Sequence, residues 1–403
     1  MKRRLICIMV CTSVLGSFGA SAATEAPSAE NKVSRGVYEL FPDTDFSDGF
    51  RLLNMDASQE NDETAVYYQY DGGTSLPSWK MAQWSSKHDL RDPSVTTSSH
   101  PEDSVFVLEN QSKRIAVNPE SGELALKLSA SQIYDAPRKN NEPWPHLLIE
   151  GATGNSDNEQ AVQLSNMTAL RLTLSQKLTE FKDCMPGYKD RGRHAAQFLM
   201  YLYIKGINAS GNTEMMWFGL PLFDNRYEYP GEYASPDSGK DDASGLFVYN
   251  IPAKGFMHDS FFEQAVPVGS DQNEWINIDI DLIPYIERAK TLAQQNGFLQ
   301  GMELDTMYVD GVNLGWEMPG TYDAEMVVKN LSLKSYVGWK RGDIDMDDTV
   351  GSSDALLALQ NSVGKIQLDD DCTFIADVDR DGFVTTSDAL RILQKAVGKI
   401  ESL

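Results

Sequence analysis

Two twelve-residue stretches near the C-terminus carry acidic residues at matching positions. DIDMDDTVGSSD occupies residues 343–354 and DVDRDGFVTTSD occupies residues 377–388. Calcium takes roughly six to eight oxygen ligands, and a twelve-residue loop supplies them from positions 1, 3, 5, 7, 9 and 12, using the carbonyl at position 7. Both stretches have Asp at positions 1, 3, 5 and 12. The spacing therefore predicts two calcium-binding loops.

The two loops differ at positions 6 and 9. The predicted ligands are Asp343, Asp345, Asp347, the Thr349 carbonyl and Asp354 in the first loop, and Asp377, Asp379, Asp381, the Phe383 carbonyl and Asp388 in the second. Position 9 is Thr385 in the second loop but Gly351 in the first, where water must serve instead. Position 6 turns sharply and usually needs glycine; it is Gly382 in the second loop and Asp348 in the first. Asp tolerates a left-handed backbone better than most residues. We therefore expect about two bound calcium ions, the one in the first loop held more weakly.

A segment with helical periodicity follows each loop, at residues 354–366 and 388–400. Residues at helical spacing form the predicted apolar faces, namely Leu357 with Val363, and Ile392 with Ala396. No entering helix is predicted before either loop, so each unit is half of an EF-hand.

Paired loops that end in Asp, each followed by a helix, resemble a dockerin module over residues 339–403. In that family a Ser/Thr pair at loop positions 10 and 11 contacts a cohesin partner. The resemblance therefore implies a cohesin-like partner, bound through Ser352, Ser353, Thr386 and Ser387. The sequence departs from the family pattern at Asp348, and at 359–360 and 393–394, where Leu-Gln replaces the basic residues of a common variety. Modules of this kind also occur as braces for a neighbouring domain.

The N-terminus has the features of an export signal. Residues 1–4 (MKRR) are basic, residues 5–18 form a short apolar run, and residues 20–22 (ASA) form a cleavage site. We predict a signal peptide at residues 1–22, a disordered leader at residues 23–35, and a secreted protein that is extracellular or periplasmic. The apolar run is too short to span a bilayer comfortably. No membrane association is expected after cleavage.

Charge and cysteine content narrow the possible ligands. The formal net charge is −24 and the pI is about 4.5. Such an acidic chain disfavours nucleic acid, whose phosphates need Lys and Arg, and suits cations or neutral sugars.

Cys184 and Cys372 remain after signal cleavage. Two unpaired thiols are favoured over a disulfide between domains, and no zinc motif is present.

Residues 36–338 have the texture of a β-sandwich. Strand-like runs occupy residues 104–110, 123–129, 169–175, 196–206, 215–223, 245–251, 275–282, 303–312 and 324–333. One helix is predicted at residues 283–297, with Ile286, Ala289 and Ala293 as its apolar stripe. The fold class is therefore mainly β, an antiparallel two-sheet β-sandwich of jelly-roll type, followed by a small all-α calcium-binding module. The sandwich weakly resembles jelly-roll carbohydrate-binding modules, including its closing strand at residues 323–333.

The resemblance to dockerin proteins implies work on polysaccharide, and the leading hypothesis is a sandwich that binds polysaccharide without cleaving it. Sugar binding needs aromatic faces and a few planar polar groups. The predicted site consists of Asp224, Asn225, Arg226, Tyr227, Tyr229 and Trp144. An alternative role for Asp224 and Arg226 is an ion pair that holds a turn. Trp217, inside a continuous apolar run, is predicted to belong to the core.

Two other functions are open at this stage. A polysaccharide-degrading enzyme is the main alternative, although its catalytic residues are not identified. Glu303 and Asp305 supply only two acids on a strand where a retaining glycosidase would use three, and Glu317 is predicted to be a turn residue. A lyase would use His194 and Tyr201, predicted to share a strand. A structural protein attached through the dockerin-like unit is the other hypothesis.

Overall fold

The structure is a computed structural model, and it describes the greater part of the chain. The described residues are 35–55, 66–69, 76–92, 94–100, 104–154, 159–185, 187, 189–208, 210–237 and 244–403. The predicted signal peptide and residues 23–34 of the predicted leader lie outside the described residues. In the part that is described, no helix has the length and apolar character needed to cross a membrane.

Strands account for most of the regular structure. In chain order they are β1 (Gly36–Glu39), β2 (Phe50–Leu52), β3 (Val66–Tyr68), β4 (Trp79–Ala82), β5 (Thr96–His100), β6 (Val105–Glu109), β7 (Lys113–Asn118), β8 (Glu123–Ser129), β9 (His146–Ala152), β10 (Met167–Asp183), β11 (Gln197–Ile207), β12 (Thr213–Asp224), β13 (Tyr233–Pro236), β14 (Phe247–Asn250), β15 (Ile276–Asp281), β16 (Met307–Glu317) and β17 (Tyr322–Val337). The α-helices are α1 (Ile283–Gln295), α2 (Ser352–Ser362), α3 (Asp370–Ala376) and α4 (Thr386–Ala396).

The strands form two sheets packed face to face. Sheet A has the order β15-β10-β17-β8-β7-β6-β5, with β1 paired to the C-terminal part of β17. Sheet B has the order β13-β14-β12-β11-β16-β9-β4-β2-β3. Neighbours are antiparallel except β12 with β14 and β2 with β4. The predicted fold class is confirmed: a mainly β, two-sheet sandwich of jelly-roll type, with small helices at the C-terminus.

Alternation along the strands decides which side chains form the core between the sheets. On β15, Ile276, Ile278 and Ile280 are buried in that core, as the sequence pattern predicts. Helix α1 also agrees with its prediction. Pro284 lies in its first turn, its predicted apolar stripe is buried, and Gly297 follows its end with a φ of +86°.

One predicted strand begins later than the sequence suggested. Residues 304–306 form a 3₁₀ turn, and β16 starts only at Met307. Glu303 and Asp305 therefore do not share a strand face, and Glu303 instead pairs with Lys290. The prediction that this strand begins at residue 303 was wrong, and the pair of acids does not form the partial catalytic pattern considered for a glycosidase. The turn that contains Thr306 separates Glu303 from the apolar strand that begins at Met307.

The C-terminal helices differ from their prediction in two ways. Helix α3 ends directly before the second acidic loop, so the prediction that no helix enters either loop was wrong for the second loop. The predicted apolar faces are confirmed at Ile392, which is buried, and at Leu357, which packs against the same cluster, but not at the other two residues. Small residues, Ala355 and Ala358 on α2, are buried, whereas Val363 is 56% exposed and Ala396 is exposed. Small side chains allow α2 and α4 to approach closely, which leaves larger apolar residues outside.

The helical unit packs against the outer side of sheet A. Tyr336 and Trp339 share an apolar cluster with Ile375 of α3 and Ile392 of α4. Around this cluster, the buried Arg171 binds both Asp279 of β15 and Asp370 of α3. Other polar contacts across the junction are Tyr336 Oη to Asp371 at 2.6 Å and Arg341 to Asp281 at 3.0 Å. The two cysteines within the described residues form no disulfide; Cys184 is half-buried and Cys372 is buried.

A buried carboxylate lies in the connection between β1 and β2. Asp43 accepts backbone N–H bonds from Ser47 at 3.0 Å and Asp48 at 3.2 Å. Burial, together with a hydrogen bond to the Asp45 side chain, raises the pKa of Asp43 to about 7. The folded state thus holds a proton that the unfolded state releases near pH 3.8. Stability from this group is fully present below that value and is lost as the pH rises to about 7.

We predict that Asp43→Asn, which imitates the protonated side chain, flattens this pH dependence. From about pH 5 to about pH 8 the melting temperature of the variant should fall less than that of the unaltered chain, ending about 2 °C or more higher. Thermal unfolding across this range measures the effect. Asp271→Asn, at an exposed carboxylate, is the matched control. Parallel curves for Asp43→Asn and the unaltered chain would contradict the assignment.

Candidate functional site

A buried aspartate closes each acidic loop at its twelfth position. Asp354 Oδ1 accepts backbone N–H bonds from Ile344 at 2.6 Å and Asp345 at 3.0 Å. Asp388 Oδ1 accepts the equivalent bonds from Val378 at 2.9 Å and Asp379 at 3.3 Å. The second oxygen of each carboxylate caps the helix that follows. These bonds hold the two ends of each loop together.

Each loop gathers oxygen atoms at one point. One carboxylate oxygen from each member of two triads lies within 4.8 Å of the others; the triads are Asp343 with Asp345 and Asp354, and Asp377 with Asp379 and Asp388. The buried Oδ1 atoms of Asp343 and Asp379 have no hydrogen-bond partner in the described part of the chain. Clustered carboxylates with an unpaired oxygen fit a hard cation such as calcium. Burial and the charges of Asp388 and Asp381 raise the pKa of Asp377, as expected where a cation would relieve repulsion.

The remaining predicted ligands occupy the outer parts of the loops. Asp347 accepts the N–H of Thr349 at 2.8 Å and Asp381 accepts the N–H of Phe383 at 2.9 Å. Ligation by these four residues stays a prediction. Position 6 does turn through the left-handed region, with a φ of +71° at Asp348 and +90° at Gly382.

The residues predicted to contact a partner lie on the surface. Ser352, Ser353, Thr386 and Ser387 are all exposed in the first turns of α2 and α4. Beside them each helix carries an exposed apolar row. The rows are Leu356 and Leu359 of α2 with Val363 directly after it, and Leu390 and Leu393 of α4 with Val397 directly after it, all between 41% and 61% exposed. Equivalent members of the two rows are 34 positions apart, which is also the spacing of the loops.

Aromatic side chains lie together on the outer face of sheet B, the face turned away from sheet A. Tyr201 and Tyr203 on β11 alternate with core residues, and Trp217 on β12 is opposite Tyr203. The Trp217 ring lies 4.9 Å from Tyr203 and 5.9 Å from Tyr201, edge to face. The prediction that Trp217 belongs to the core was wrong, because Met216 and Phe218 are the core residues of this strand.

Glycines beside the two tyrosines let their rings extend over neighbouring strands. Gly219 is opposite Tyr201, and Gly311 is opposite Tyr203. A Cβ at Gly219 would lie 2.5 Å from the Tyr201 ring, and one at Gly311 would lie 3.0 Å from the Tyr203 ring. Any larger residue at either position would push a ring away. The two glycines therefore keep the rings low on the sheet.

Amide and carboxylate groups surround these rings. Asn313 on β16 is opposite Tyr201, and Glu150 on β9 accepts a hydrogen bond from the Tyr203 hydroxyl at 3.0 Å. Asn250 lies on the other side, and its buried Oδ1 has no hydrogen-bond partner among the residues the structure describes. Burial raises the pKa of Tyr201 above its ordinary value of 10, while a hydrogen bond with the Asn250 side chain acts in the opposite direction.

A second polar and aromatic group lies on the same face, where β9 begins and β16 ends. Glu317 accepts a hydrogen bond from Trp144 Nε1 at 3.4 Å and lies 3.8 Å from His146 Nε2. The His146 ring is 5.9 Å from Trp84 and 6.1 Å from Trp144. The buried Trp84 Nε1 has no hydrogen-bond partner within the described residues. Glu317 is thus the last residue of a strand and bonds to side chains, whereas the sequence predicted a turn residue.

The strand register sets the distance between the two groups. Gln197, opposite Glu317, is four residues from Tyr201 along β11. Four residues of a strand span about 14 Å. Leu199 and Gly315 are opposite each other between the groups and form the floor. The outer face therefore has two polar and aromatic ends joined by a low apolar strip.

Three of the six residues predicted to bind a glycan are engaged in holding the turn after β12. Asp224 is buried and accepts hydrogen bonds from Arg226 Nη2 at 2.6 Å and Nε at 2.9 Å. It also accepts one from Gln197 Nε2 at 3.0 Å, which brings it to the edge of the outer face. Asn225 Oδ1 accepts the backbone N–H of Ala196 at 2.8 Å. This geometry matches the alternative in which Asp224 and Arg226 form a structural ion pair.

The predicted aromatic residues are divided between two places. Tyr227 is 51% exposed in the loop after β12, with the Arg226 guanidinium 5.4 Å from its ring centre. Tyr229 donates its hydroxyl to Glu263 at 2.7 Å in the same region. Trp144 lies on the outer face of sheet B. The sequence missed Tyr203, Trp217, Asn250 and Asn313 as site residues, although alternation in AQFLMYLYIKG marks the tyrosines as facing away from the core.

The residues considered for a lyase do not share a strand. His194 is buried and precedes β11, which begins at Gln197. Its ring nitrogens contact the Arg138 carbonyl at 2.9 Å and the Asp190 N–H at 3.2 Å. The predicted common strand for His194 and Tyr201 was wrong, because backbone groups on both sides hold this histidine in a turn.

Comparison with known proteins does not assign this chain to a family. No protein family and no curated protein match the chain. Among solved structures, it is similar to endoglucanase Cel12A from Rhodothermus marinus, at 12% identity over 59% of this chain and 95% of that one, with a TM-score of 0.30. It is also similar to a family 12 xyloglucanase from Bacillus licheniformis, at 12% identity over 60% of this chain and 97% of that one, with a TM-score of 0.33. A family 11 xylanase from Neocallimastix patriciarum is similar at 8% identity over 63% of this chain and 98% of that one, with a TM-score of 0.29. Similarities at this level of identity and TM-score do not indicate what the outer face does.

We predict that the full chain binds about two calcium ions and melts at a lower temperature after chelation. Asp388→Ala should remove one ion and lower the free energy of unfolding by about 2 kcal/mol, because it also leaves backbone N–H groups without an acceptor. Calorimetric titration and thermal unfolding measure both effects. Asp305→Ala, at an exposed carboxylate, is the control and should change neither. Two ions bound by the Asp388→Ala variant would contradict the loop assignment.

Proposed function

We propose that the outer face of sheet B binds a neutral polysaccharide and that the helical unit attaches the protein, with calcium bound, to a cohesin-like partner. The observation that supports the first part is the pair of tyrosine rings held low over glycines beside Trp217. Aromatic rings contact the apolar faces of sugars, while a few planar polar groups bind the hydroxyls. Tyr201, Asn250 and Asn313 offer such polar groups next to the rings.

The charges on the outer face favour a neutral sugar over a polyanion. Its carboxylates include Glu150 and Glu317. Of its cations, Lys205 is paired with Asp310 at 2.6 Å, Lys80 is opposite Glu150, and Arg51 lies farther out on β2. A uronate would need cations that are free to neutralise it. The net charge of −24 would add long-range repulsion. A neutral polysaccharide outside the cell, or in the periplasm, suits both this face and the predicted export signal.

The helical unit offers a surface for the proposed attachment. The two apolar rows on α2 and α4 flank exposed hydroxyls, and large exposed apolar groups rimmed by polar residues are typical of protein interfaces. The acidic loops hold the first turns of both helices, so calcium would stabilise the ends that carry Ser352, Ser353, Thr386 and Ser387. The resemblance to dockerins supports a cohesin-like partner for this surface.

Hydrolysis of the polysaccharide is the second candidate function. Asp224 and Glu317 are both opposite Gln197, on strands to either side of it. Two strand spacings separate their Cα atoms by about 10 Å, and both side chains lie on the outer face. Glycosidases use two carboxyl groups separated by roughly 5 to 9.5 Å. In this function Asp224, paired with Arg226, would serve as one carboxyl group and Glu317 as the other.

We predict that the chain is retained on a neutral polysaccharide such as cellulose, xylan or mannan, and not on polygalacturonate. Tyr201→Ala combined with Trp217→Ala should weaken retention about tenfold or more, because it removes the central aromatic contact area. Affinity electrophoresis or a pull-down with insoluble polysaccharide measures this. Tyr227→Ala is the matched control, since it removes an exposed tyrosine of the loop after β12 and should leave retention unchanged.

The same samples distinguish binding from hydrolysis. New reducing ends that disappear in Glu317→Gln would establish hydrolysis and overturn a purely binding function. Retention without product would support binding alone. Loss of retention in Tyr227→Ala, with retention kept in the double variant, would transfer the site to the loop after β12.

We predict that cohesin domains bind the full chain in calcium and release it after chelation. Leu356→Glu combined with Leu390→Glu should weaken this binding about tenfold or more, because it places charge within both apolar rows. Surface plasmon resonance against a panel of cohesin domains measures the effect. Leu76→Glu changes a leucine of the sandwich that is 74% exposed and should have no effect. Calcium-independent binding, or none to any cohesin domain, would contradict the attachment.

A further inference from the structure

An arginine of the sandwich reaches into the first acidic loop. Arg35 directly precedes β1, and its Nη2 lies 3.1 Å from Asp343 Oδ2. Its Nη1 donates to Asp348 Oδ1 and to the carbonyl of Met346, both at 3.1 Å. The guanidinium also lies 5.5 Å from the ring centre of Trp339. Three acceptors of one loop therefore converge on a single side chain from outside it.

We propose that the first loop is a docking site for Arg35 as well as a calcium site, so that calcium bound there fastens β1 and the helical unit to each other. This inference rests on the proposed calcium binding of the loops. It assigns to Asp348 the role of holding Arg35, in place of any role toward the ion.

The two oxygens of Asp343 divide the two tasks. Asp343 is fully buried, and its Oδ2 accepts hydrogen bonds from Arg35 and from the Asp348 N–H. Its Oδ1 has no partner in the described part of the chain and belongs to the triad that gathers oxygens for a cation. Arg35 thus fixes the carboxylate in the orientation that presents Oδ1. Arg35 is a positioning residue for the ion, acting through Asp343.

The Arg35 site exists only when the loop has its folded backbone. Met346 and Asp348, which supply two of the three acceptors, both have positive φ values, +61° and +71°. Such backbone is costly for residues other than glycine and persists where surrounding contacts hold it. Calcium, by drawing the loop together, favours the same backbone. Binding of calcium and binding of Arg35 should therefore strengthen each other, and by linkage the coupling is reciprocal.

The charges of the two loops agree with this assignment. The first loop contains five aspartates and the second contains four. The additional one is Asp348, and the positive charge of Arg35 offsets it. With Arg35 counted, the first loop has a net charge of −4, and the second loop, with its own Arg380, has −3. The second loop reverses the arrangement. There the arginine belongs to the loop, and Arg380 reaches Asp281 of the sandwich at 3.5 Å.

Hydrogen exchange of the full chain during a calcium titration tests the coupling at each loop separately. In Arg35→Gln, the calcium concentration that half-protects residues 343–354 should rise about fivefold or more, while that for residues 377–388 stays unchanged. Calcium should also slow exchange in residues 36–39 of the unaltered chain, and this effect should be lost in the variant. Arg114→Gln, which removes an ion pair with Glu325 within sheet A, is the matched control and should alter neither midpoint.

The outcomes separate this inference from the proposal on which it rests. One outcome is that both loops of the unaltered chain respond to calcium while the first-loop midpoint is unchanged or lower in Arg35→Gln. In that case Arg35 only repels the ion or lies beside it. The coupling is then overturned, and the proposed calcium sites are kept. If neither loop of the unaltered chain responds to calcium, the calcium sites are overturned and the coupling with them. Equal shifts of the midpoint at both loops would indicate a general loss of stability and would also overturn the coupling between Arg35 and calcium.

Discussion

The pairing of β10 with β17 is the contact on which the rest of the structure depends. It runs from Met167 opposite Val337 to Asp183 opposite Tyr322, and it joins the middle of the chain to the last strand of the sandwich. β15 extends the sheet on one side of this pair, and β8 and β1 extend it on the other. Register shifts interrupt the pairing at several points, which increases the local twist of the sheet. Sheet A shares one hydrophobic core with sheet B.

The same pairing prepares the surface on which the helical unit packs. It brings Arg171 and Tyr336 to the outer side of sheet A, where each meets an acidic residue of α3. A buried guanidinium is costly to desolvate unless its donors are satisfied, so an arrangement that leaves Arg171 unpaired is disfavoured. Water screens part of the attraction, because the Asp370 side chain is 68% exposed. These contacts act mainly to select one placement of the unit on the sheet.

The sequence predicts local structure here better than it predicts which faces are covered. Alternation and helix signals identify β15, α1 and both acidic loops, because each depends on neighbouring residues. Trp217 shows the limit: its strand is apolar on both faces, and only the position of sheet A decides which face is the core. The short entering helix α3 was missed because seven residues give too little periodicity. The outer-face site needs the register of β11 with β12 and β16, which no short window of sequence contains.

The aspartate at position 6 of the first loop shows how one departure from a repeat can have a physical cause. A left-handed aspartate costs on the order of 1 kcal/mol compared with glycine. An exposed ion pair such as Asp348 with Arg35 returns about as much at most. The pair alone would then gain little stability, and glycine would serve the turn as well as it does at Gly382. The buried Asp343 changes this balance, since a carboxylate without access to water needs a partner for each oxygen. Asp348 holds Arg35 where it can satisfy one of those oxygens and leave the other for calcium.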